Sequence, residues 1–191
     1  MLSSKRLSPF PINNSLIMNI IHQSELIAAY CHRNDKYGKK IYFDAHLVKT
    51  KTIAWELAKK IGWKMMDEIA AIAVLHDTIE DGYITEKTLK KLLNPFAPKH
   101  TAEWVACCVS QIARNPKKES YDEYIDRLIS HSAPLMRDAL LITKAADLIC
   151  HITTEGHNSL KKRYHVALHK ITVAYSDLRK PANDLLVQQL T

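Results

Sequence analysis

Four ionisable side chains follow an apolar stretch in the middle of the chain. Residues 69–75 are all apolar, and His76, Asp77, Glu80 and Asp81 come shortly after them. On a helix, residues three and four apart share a face, so the two later acids lie over the His-Asp pair. Charges at the end of a buried helix cost stability unless something compensates them, and a divalent metal ion would do so. The alternative is an ordinary helix end whose polar side chains face water.

These residues form the sequence HDTIED, which resembles the HDxxED motif of the HD-domain phosphohydrolases. The resemblance is closest to the RelA/SpoT-type hydrolase domains, which remove the 3′-pyrophosphate from guanosine tetra- and pentaphosphate. In that family, a His about thirty residues upstream and an Asp in a Lys-x-x-Asp sequence complete a metal site. His46 matches the first position and Asp147, in the segment that begins at Lys144, matches the second. The resemblance therefore implies four metal ligands: His46, His76, Asp77 and Asp147.

Two imidazole nitrogens and two carboxylates make a ligand set that suits manganese, iron, cobalt or zinc. In the RelA/SpoT branch the metal is usually manganese, so the resemblance implies one divalent ion, with Mn²⁺ ahead of Fe, Co or Zn. Such an ion would lower the pKa of a bound water from about 15.7 toward neutrality and would polarise a phosphoryl oxygen. Glu80 and Asp81, one helical turn from the ligands, are the expected catalytic groups that orient the water and carry protons.

Three further residues are expected to contact the phosphates of a nucleotide substrate. Lys36 lies in the segment that corresponds to the family's basic loop before the first ligand, while Lys144 and His151 flank Asp147. Each also has a simpler interpretation. Lys36 could be an exposed loop lysine, and the other two could serve only packing and hydrogen bonding.

The sequence departs from the family at positions that contact the nucleotide in relatives. Asp35 precedes Lys36 where an Arg is frequent, Leu47 follows His46 where a Pro is frequent, and His151 replaces a common Asn. The substrate therefore stays open between a guanosine pyrophosphate and a different phosphorylated nucleotide or dinucleotide. A third alternative, a non-catalytic module that binds nucleic acid or protein, depends only on the basic charge of the chain.

The composition indicates one globular helical domain with an anionic partner. The chain has 191 residues, 47% hydrophobic and 25% charged, with four glycines and a formal net charge of +7. A positive potential concentrates anions, but the lysines are scattered and no nucleic-acid-binding motif accompanies them. The charge alone does not say which anion binds, and an ordinary solvated surface is the simpler interpretation. A phosphorylated nucleotide is the partner that the family resemblance implies, and nucleic acid is not favoured.

Apolar residues recur with helical spacing along most of the chain. The predicted helices cover approximately residues 17–33, 46–61, 67–81, 85–93, 101–113, 121–129, 134–155 and 158–179. Gly62 and Gly82 are expected to end two of them, and Ser120 with Glu123 has the spacing of a capping box. Residues 34–42 are expected to form a loop, and Pro181 to follow the last helix. The expected fold is all-α, the compact helical bundle of an HD domain.

The resemblance is strongest over residues 20–155. We expect an N-terminal extension at 1–15 and a single hydrolase domain at 16–191, with no room for a synthetase half after residue 155. The four cysteines lack CxxC spacing and are expected to be reduced thiols. The N-terminus is typical of neither a signal peptide nor a membrane span, so a cytoplasmic protein without a membrane partner is expected.

Overall fold

The computed structural model describes residues 19–154 and 158–190. Their helices are α1 (Ile20–Cys31), α2 (Val48–Lys60), α3 (Met66–Glu80), α4 (Glu86–Leu93), α5 (Lys99–Ile112), α6 (Tyr121–Ile129), α7 (Pro134–Thr153), α8 (Asn158–Ala174) and α9 (Arg179–Leu190). One two-stranded sheet accompanies them in these ranges, so the all-α helical bundle predicted from the sequence is confirmed. The predicted N-terminal extension, residues 1–15, lies outside the described residues.

Helix α3 is the centre of the bundle. Every side chain from Ile69 to Leu75 is buried, and the helix packs against α1, α2, α5 and α7. A helix that is apolar on all sides has no face to present to water, so its central position follows from its sequence. Gly82 follows the helix with a φ of +76°, a conformation that glycine adopts without strain. The chain therefore turns away directly after the acidic residues, as predicted.

Helix α7 is the second long buried helix. Pro134 stands at its first turn, where the missing N–H costs no hydrogen bond. Most of its residues from Ala139 to Ile152 are buried, and the helix packs against α2, α3, α5, α8 and α9. Because α7 crosses close to α3, an acidic residue near its C-terminal end can meet the end of α3.

The segment before α2 differs from the predicted loop. Two short strands, β1 (Lys36–Tyr37) and β2 (Lys40–Ile41), form an antiparallel hairpin with Gly38 at a φ of +64°. A π-helical turn, Phe43–Leu47, then leads into α2, so helical structure begins earlier than the predicted start at His46. Such wide turns occur mostly at functional sites.

The C-terminal region also differs from the prediction. The predicted helix 158–179 ends at Ala174, and a 3₁₀ turn (Ser176–Leu178) separates it from α9. Pro181 lies in the first turn of α9, where proline is tolerated because that N–H has no helical partner. Leu178, Ala182 and Leu185 are buried, so α9 completes the cover of the core. No helix in the described ranges combines the length and apolar character that crossing a bilayer requires.

Candidate metal centre

Four side chains from three separate segments meet inside the bundle. His46 comes from the π-helical turn, His76 and Asp77 from the end of α3, and Asp147 from α7. His46 Nε2 lies 3.3 Å from Asp147 Oδ1 and 3.6 Å from Asp77 Oδ2. His76 Nε2 lies 3.6 Å from the same Asp147 oxygen and 3.1 Å from the same Asp77 oxygen. The structure thus brings together all four residues that the sequence singled out as ligands.

The spacing and environment of these atoms fit a metal ion. Donor atoms about 2.0–2.2 Å from a common cation lie about 3.0–3.5 Å from one another, as these nitrogens and oxygens do. His46 Nε2, His76 Nε2 and Asp147 Oδ1 are buried and have no hydrogen-bond partner in the described part of the chain. A buried polar atom without a partner costs about 1–3 kcal/mol, and a cation would satisfy all three atoms at once. The buried His/Asp cluster could therefore hold a metal ion.

Outer contacts hold each imidazole with Nε2 toward the centre. His76 Nδ1 lies 2.8 Å from the carbonyl oxygen of Ala73, to which it can only donate, so Nε2 is the nitrogen whose lone pair a metal ion could bind. His46 Nδ1 lies 3.5 Å from Cys150 Sγ, on the side of its ring away from the centre. Contacts of this kind set the tautomer and orientation of metal-binding histidines.

Each carboxylate also has an outer partner. The Tyr42 hydroxyl donates to Asp77 Oδ2 over 2.6 Å. The Lys144 ammonium donates to Asp147 Oδ2 over 2.6 Å, which leaves Oδ1 toward the histidines. Lys144, one of the predicted substrate residues, is therefore engaged with a candidate ligand in the wall of the site.

The electrostatic coupling between these groups is strong. Burial alone would lower the pKa of His76, but the carboxylates of Asp77 and Asp147 outweigh it and raise that pKa to about 10. Burial would raise the pKa of Asp147, yet the Lys144 ammonium and the facing imidazoles hold it well below its usual range. The facing imidazoles likewise hold the pKa of Asp77 well below its usual range, against the effect of burial. Both carboxyls therefore favour the ionised form, which is the form that binds a divalent ion.

A cavity of about 230 Å³ opens beside the four residues and is lined almost entirely by polar groups. Its wall includes both predicted catalytic acids, three cations and four tyrosines: Glu80, Asp81, Arg114, Lys144, Arg163, Tyr42, Tyr121, Tyr124 and Tyr164. The cations gather around one ring. The charged groups of Arg163, Arg114 and Lys144 lie 4.4, 5.5 and 5.8 Å from the centroid of Tyr121. The cavity can therefore accept an anion next to the candidate metal ligands.

Glu80 and Asp81 face this cavity in different surroundings. The Arg114 backbone N–H donates to Glu80 Oε2 over 2.8 Å. Although Glu80 keeps contact with solvent, partial burial of its carboxyl raises the pKa. Burial also raises the pKa of Asp81, whose carboxylate lies 3.8 Å from the buried His32. A carboxyl group with a raised pKa beside a metal centre suits proton transfer near neutral pH.

The hairpin presents a different residue to the site than the sequence suggested. Lys36 is exposed and is not among the described residues that line the cavity. Its neighbour Tyr37 is buried, because successive side chains of a strand point to opposite faces. The Tyr37 ring stacks on His46 with centroids 5.1 Å apart, and its hydroxyl lies 2.7 Å from His151 Nδ1. Lys36 therefore remains a prediction without a contact in the site.

Sequence reasoning missed several residues of the cavity. Arg114 follows the predicted end of α5, and Arg163 belongs to the densest basic cluster of the sequence, Lys161-Lys162-Arg163. That cluster was the available signal for Arg163, but it does not distinguish the inward arginine from the two lysines. Tyr42 and Tyr121 lie in segments that resemble the family's basic loop and the helix before its last ligand, but nothing local marks which tyrosine meets a residue far away in the chain.

Comparisons with known proteins add no family assignment. Neither models of known protein families nor curated protein sequences give a match to this chain. The geometry of the candidate metal centre and its cavity is therefore the basis on which a function can be proposed.

Proposed function

We propose that this protein is a metal-dependent phosphohydrolase of the HD-domain kind that acts on a phosphorylated nucleotide. One observation carries the proposal: four histidine and aspartate side chains from three segments converge on one buried point beside a polar cavity. His46, His76, Asp77 and Asp147 are the proposed ligands, and the unpartnered buried atoms of the two histidines and Asp147 support the presence of a cation. A purely structural cluster would be expected to pair these atoms with one another by hydrogen bonds.

The chemistry divides between the ion and the residues of the chain. When bound, a divalent ion supplies charge stabilisation at a phosphoryl oxygen and a lower pKa for water. Glu80 accepts a proton as the oxygen of water attacks phosphorus, and it returns that proton to the leaving oxygen when the P–O bond breaks. Its backbone partner, the Arg114 N–H, holds the carboxylate at the cavity wall during this exchange. Asp81 supports Glu80 from the neighbouring position.

The cations of the cavity fit the phosphates of such a substrate. Arg114 and Arg163 flank the Tyr121 ring from the open side of the site, and guanidinium groups bind phosphate through paired N–H donors. The buried Tyr121 hydroxyl, which has no hydrogen-bond partner in the described part of the chain, adds a donor. We assign these two arginines and this tyrosine to phosphate binding, with Lys144 neutralising the inner end of the cavity.

Among nucleotides, the resemblance of the HDTIED segment favours guanosine tetra- or pentaphosphate. Water would add to the phosphorus bonded to O3′, the P–O3′ bond would break, and O3′ would take the proton. Pyrophosphate and GDP or GTP would result. A different nucleotide is the second candidate, because Lys36 is exposed on the hairpin and His151 stands beside Asp147. Both features change the part of the site that contacts the nucleotide in relatives.

Product analysis tests the proposal. Full-length protein loaded with Mn²⁺ is incubated with guanosine tetraphosphate, and in parallel with a panel of other nucleoside phosphates and dinucleotides. We expect phosphate-ester or pyrophosphate hydrolysis of at least one of them, with GDP and pyrophosphate from the first. Asp77→Ala should abolish turnover, and Asp122→Ala, on the exposed face of α6, should not change it. A metal-loaded protein that cleaves no member of the panel contradicts the hydrolase assignment.

A further inference from the structure

We infer that His151 is a fifth protein ligand of the metal centre, held in place by Tyr37. The inference rests on the proposed metal centre and extends it, since His151 was expected only to contact substrate. It turns a site with two imidazoles and two carboxylates into one with three imidazoles and two carboxylates. The metal preference of the protein would change accordingly.

The position of His151 places its Nε2 beside two of the other donors, those of Asp147 and His46. It lies one helical turn after Asp147 on α7, and its Nε2 is 3.1 Å from Asp147 Oδ1. Its ring centroid is 4.6 Å from that of His46. The ligand atoms of His46, Asp147 and His151 all lie within 4.8 Å of one another, as do those of the set His46, His76 and Asp77.

The hydrogen bonding of Asp147 argues for a shared ion rather than for an imidazole–carboxylate hydrogen bond. Three imidazole nitrogens surround Asp147 Oδ1, at 3.1 Å from His151, 3.3 Å from His46 and 3.6 Å from His76. This oxygen is nevertheless buried without a hydrogen-bond partner in the described part of the chain. The three nitrogens are thus close to the oxygen but not directed at it. Donors that surround a cation have this arrangement.

The Nδ1 atom of His151, on the side of the ring away from the metal centre, has a hydrogen-bond partner, as metal-binding histidines usually do. The Tyr37 hydroxyl lies 2.7 Å from Nδ1, where it can accept the Nδ1–H, so that Nε2 is the nitrogen whose lone pair a metal ion would bind. Tyr164 stacks on the same ring with centroids 5.0 Å apart. Tyr37 also stacks on His46, with the two rings only 13° from parallel. One tyrosine therefore orients two of the three imidazoles.

A third imidazole shifts the expected metal. Imidazole ligands suit iron, zinc and nickel, whereas manganese is favoured by carboxylates and water. With His151 bound, the centre should prefer Fe²⁺, Co²⁺ or Zn²⁺ to Mn²⁺, in contrast to the manganese expected from the sequence. Removing His151 should weaken Co²⁺ binding more than Mn²⁺ binding.

The test uses Co²⁺ as the probe and counts bound histidines directly. A ligating imidazole shows a hyperfine-shifted, exchangeable N–H proton resonance in Co²⁺-loaded protein, so the wild type should show three such signals. His151→Gln should show two and bind Co²⁺ at least about 100-fold more weakly, beyond the effect of an outer partner. Tyr37→Phe should keep three signals, lose affinity by about 10-fold and exchange one N–H faster. His100→Gln, on an exposed part of α5, should match the wild type.

The possible results separate this inference from the proposed function. Bound Co²⁺ with two signals in the wild type would leave the metal centre intact and overturn the role of His151. If His151→Gln showed as many shifted N–H signals as the wild type, the role of His151 as a ligand would also be overturned, even if the variant bound Co²⁺ more weakly. A wild-type protein that binds no Co²⁺ would overturn the metal centre itself. Circular dichroism of each variant confirms that a lost signal does not reflect unfolding.

Discussion

At the scale of the residue, the candidate metal centre depends on charges that compensate one another inside the protein. Lys144 and Asp147 are three residues apart on α7 and form a direct ion pair, with side chains 12% and 3% exposed. Lys144 also lies 5.2 Å from the centroid of the Tyr124 ring, which further favours its charged form. Removing one member of such a pair leaves the other buried without compensation.

Replacing Asp147 by Asn should therefore destabilise the metal-free protein. We expect the free energy of unfolding to fall by about 3–5 kcal/mol, because the ammonium of Lys144 loses its counter-charge. Urea unfolding of protein stripped with a chelator measures the change. Adding Lys144→Met to Asp147→Asn should recover part of the loss. If Asp147→Asn is as stable as the wild type, the ion pair is not needed to compensate Lys144.

Replacing Glu80 by Gln tests its proposed role in proton transfer. Gln has the same size and its oxygen can still accept the Arg114 N–H, so metal affinity and Tm should match the wild type. The kcat should fall by about 10²–10⁴-fold, the usual contribution of a general acid–base group. Steady-state kinetics on the substrate identified by product analysis measures this fall. Unchanged kcat would assign the proton transfer to another group.

At the scale of the element, Arg127 of α6 fixes the end of α5 and the loop that follows it. Its guanidinium donates to the carbonyls of Gln111 and Ala113 over 2.7 and 3.2 Å. Two further N–H groups donate to the carboxylate of Glu119, each over 2.9 Å. Arg114 comes directly after these carbonyls and contacts Glu80. The position of the cavity wall therefore depends on these hydrogen bonds of Arg127, which connect α6 to the end of α5. We call them the Arg127 clamp.

Replacing Arg127 by Lys should loosen this clamp, because an ammonium cannot form the paired bonds to Glu119. We expect a loss of about 1.5–3 kcal/mol in the free energy of unfolding, the range for a hydrogen bond to a charged group. We also expect a higher KM, since Arg114 would lose its fixed position. Denaturant unfolding and kinetics measure the two effects. A variant with lower stability but unchanged KM would show that the clamp does not shape the site.

The same clamp makes part of the stability depend on pH. Bonding to Arg127 lowers the pKa of Glu119 below its ordinary value of 4.5. A carboxyl whose pKa is lower in the folded state adds stability above its unfolded pKa, and loses it as the pH falls through the folded pKa. The difference in unfolding free energy between wild type and Glu119→Gln should thus be constant near neutrality and vanish in acid. A difference that persists in acid would indicate loss of packing rather than of charge.

At the scale of the whole molecule, a bound ion would link the parts of the bundle. The proposed ligands come from the turn before α2, the end of α3 and the C-terminal half of α7, and these helices pack against one another. An ion that binds only the folded protein adds its binding free energy to the stability of the fold. Metal binding should consequently protect the entire bundle and not only the site.

Saturation with metal should raise the free energy of unfolding measurably. At a free Co²⁺ concentration about 1,000 times the Kd, the expected increase is about 4 kcal/mol. Thermal unfolding with and without a chelator measures it, and hydrogen exchange should show added protection in α2, α3 and α7 together. Asp77→Ala should not respond to the metal. An equal response in that variant would place the ion elsewhere.

The sequence by itself determined the features that depend on local pattern. The apolar stretch 69–75, within a helix-length segment that ends at Gly82, predicts the buried helix that is observed, and the capping box at Ser120 is present as predicted. His46 and Asp147 were also identified without the structure, because the resemblance supplied their spacing from His76. These signals depend on neighbours along the chain, or on a family pattern that the sequence carries.

Only the tertiary structure decided which side chains surround those four. Arg114, Arg163 and Tyr37 reach the site because α5 packs on α3, α8 packs on α7 and the hairpin packs on the π-helical turn, and no local pattern records that packing. The resemblance to the family's basic loop pointed to Lys36, whereas Tyr37 is the residue that faces inward. A two-residue strand is too short for its alternation to be read from the sequence. Proline can either follow a helix or stand in its first turn, so the sequence around Pro181 did not predict α9. The inward residue of the hairpin and the helix at Pro181 both depend on contacts between residues that are far apart in the chain, because the protein adopts the arrangement that covers its core.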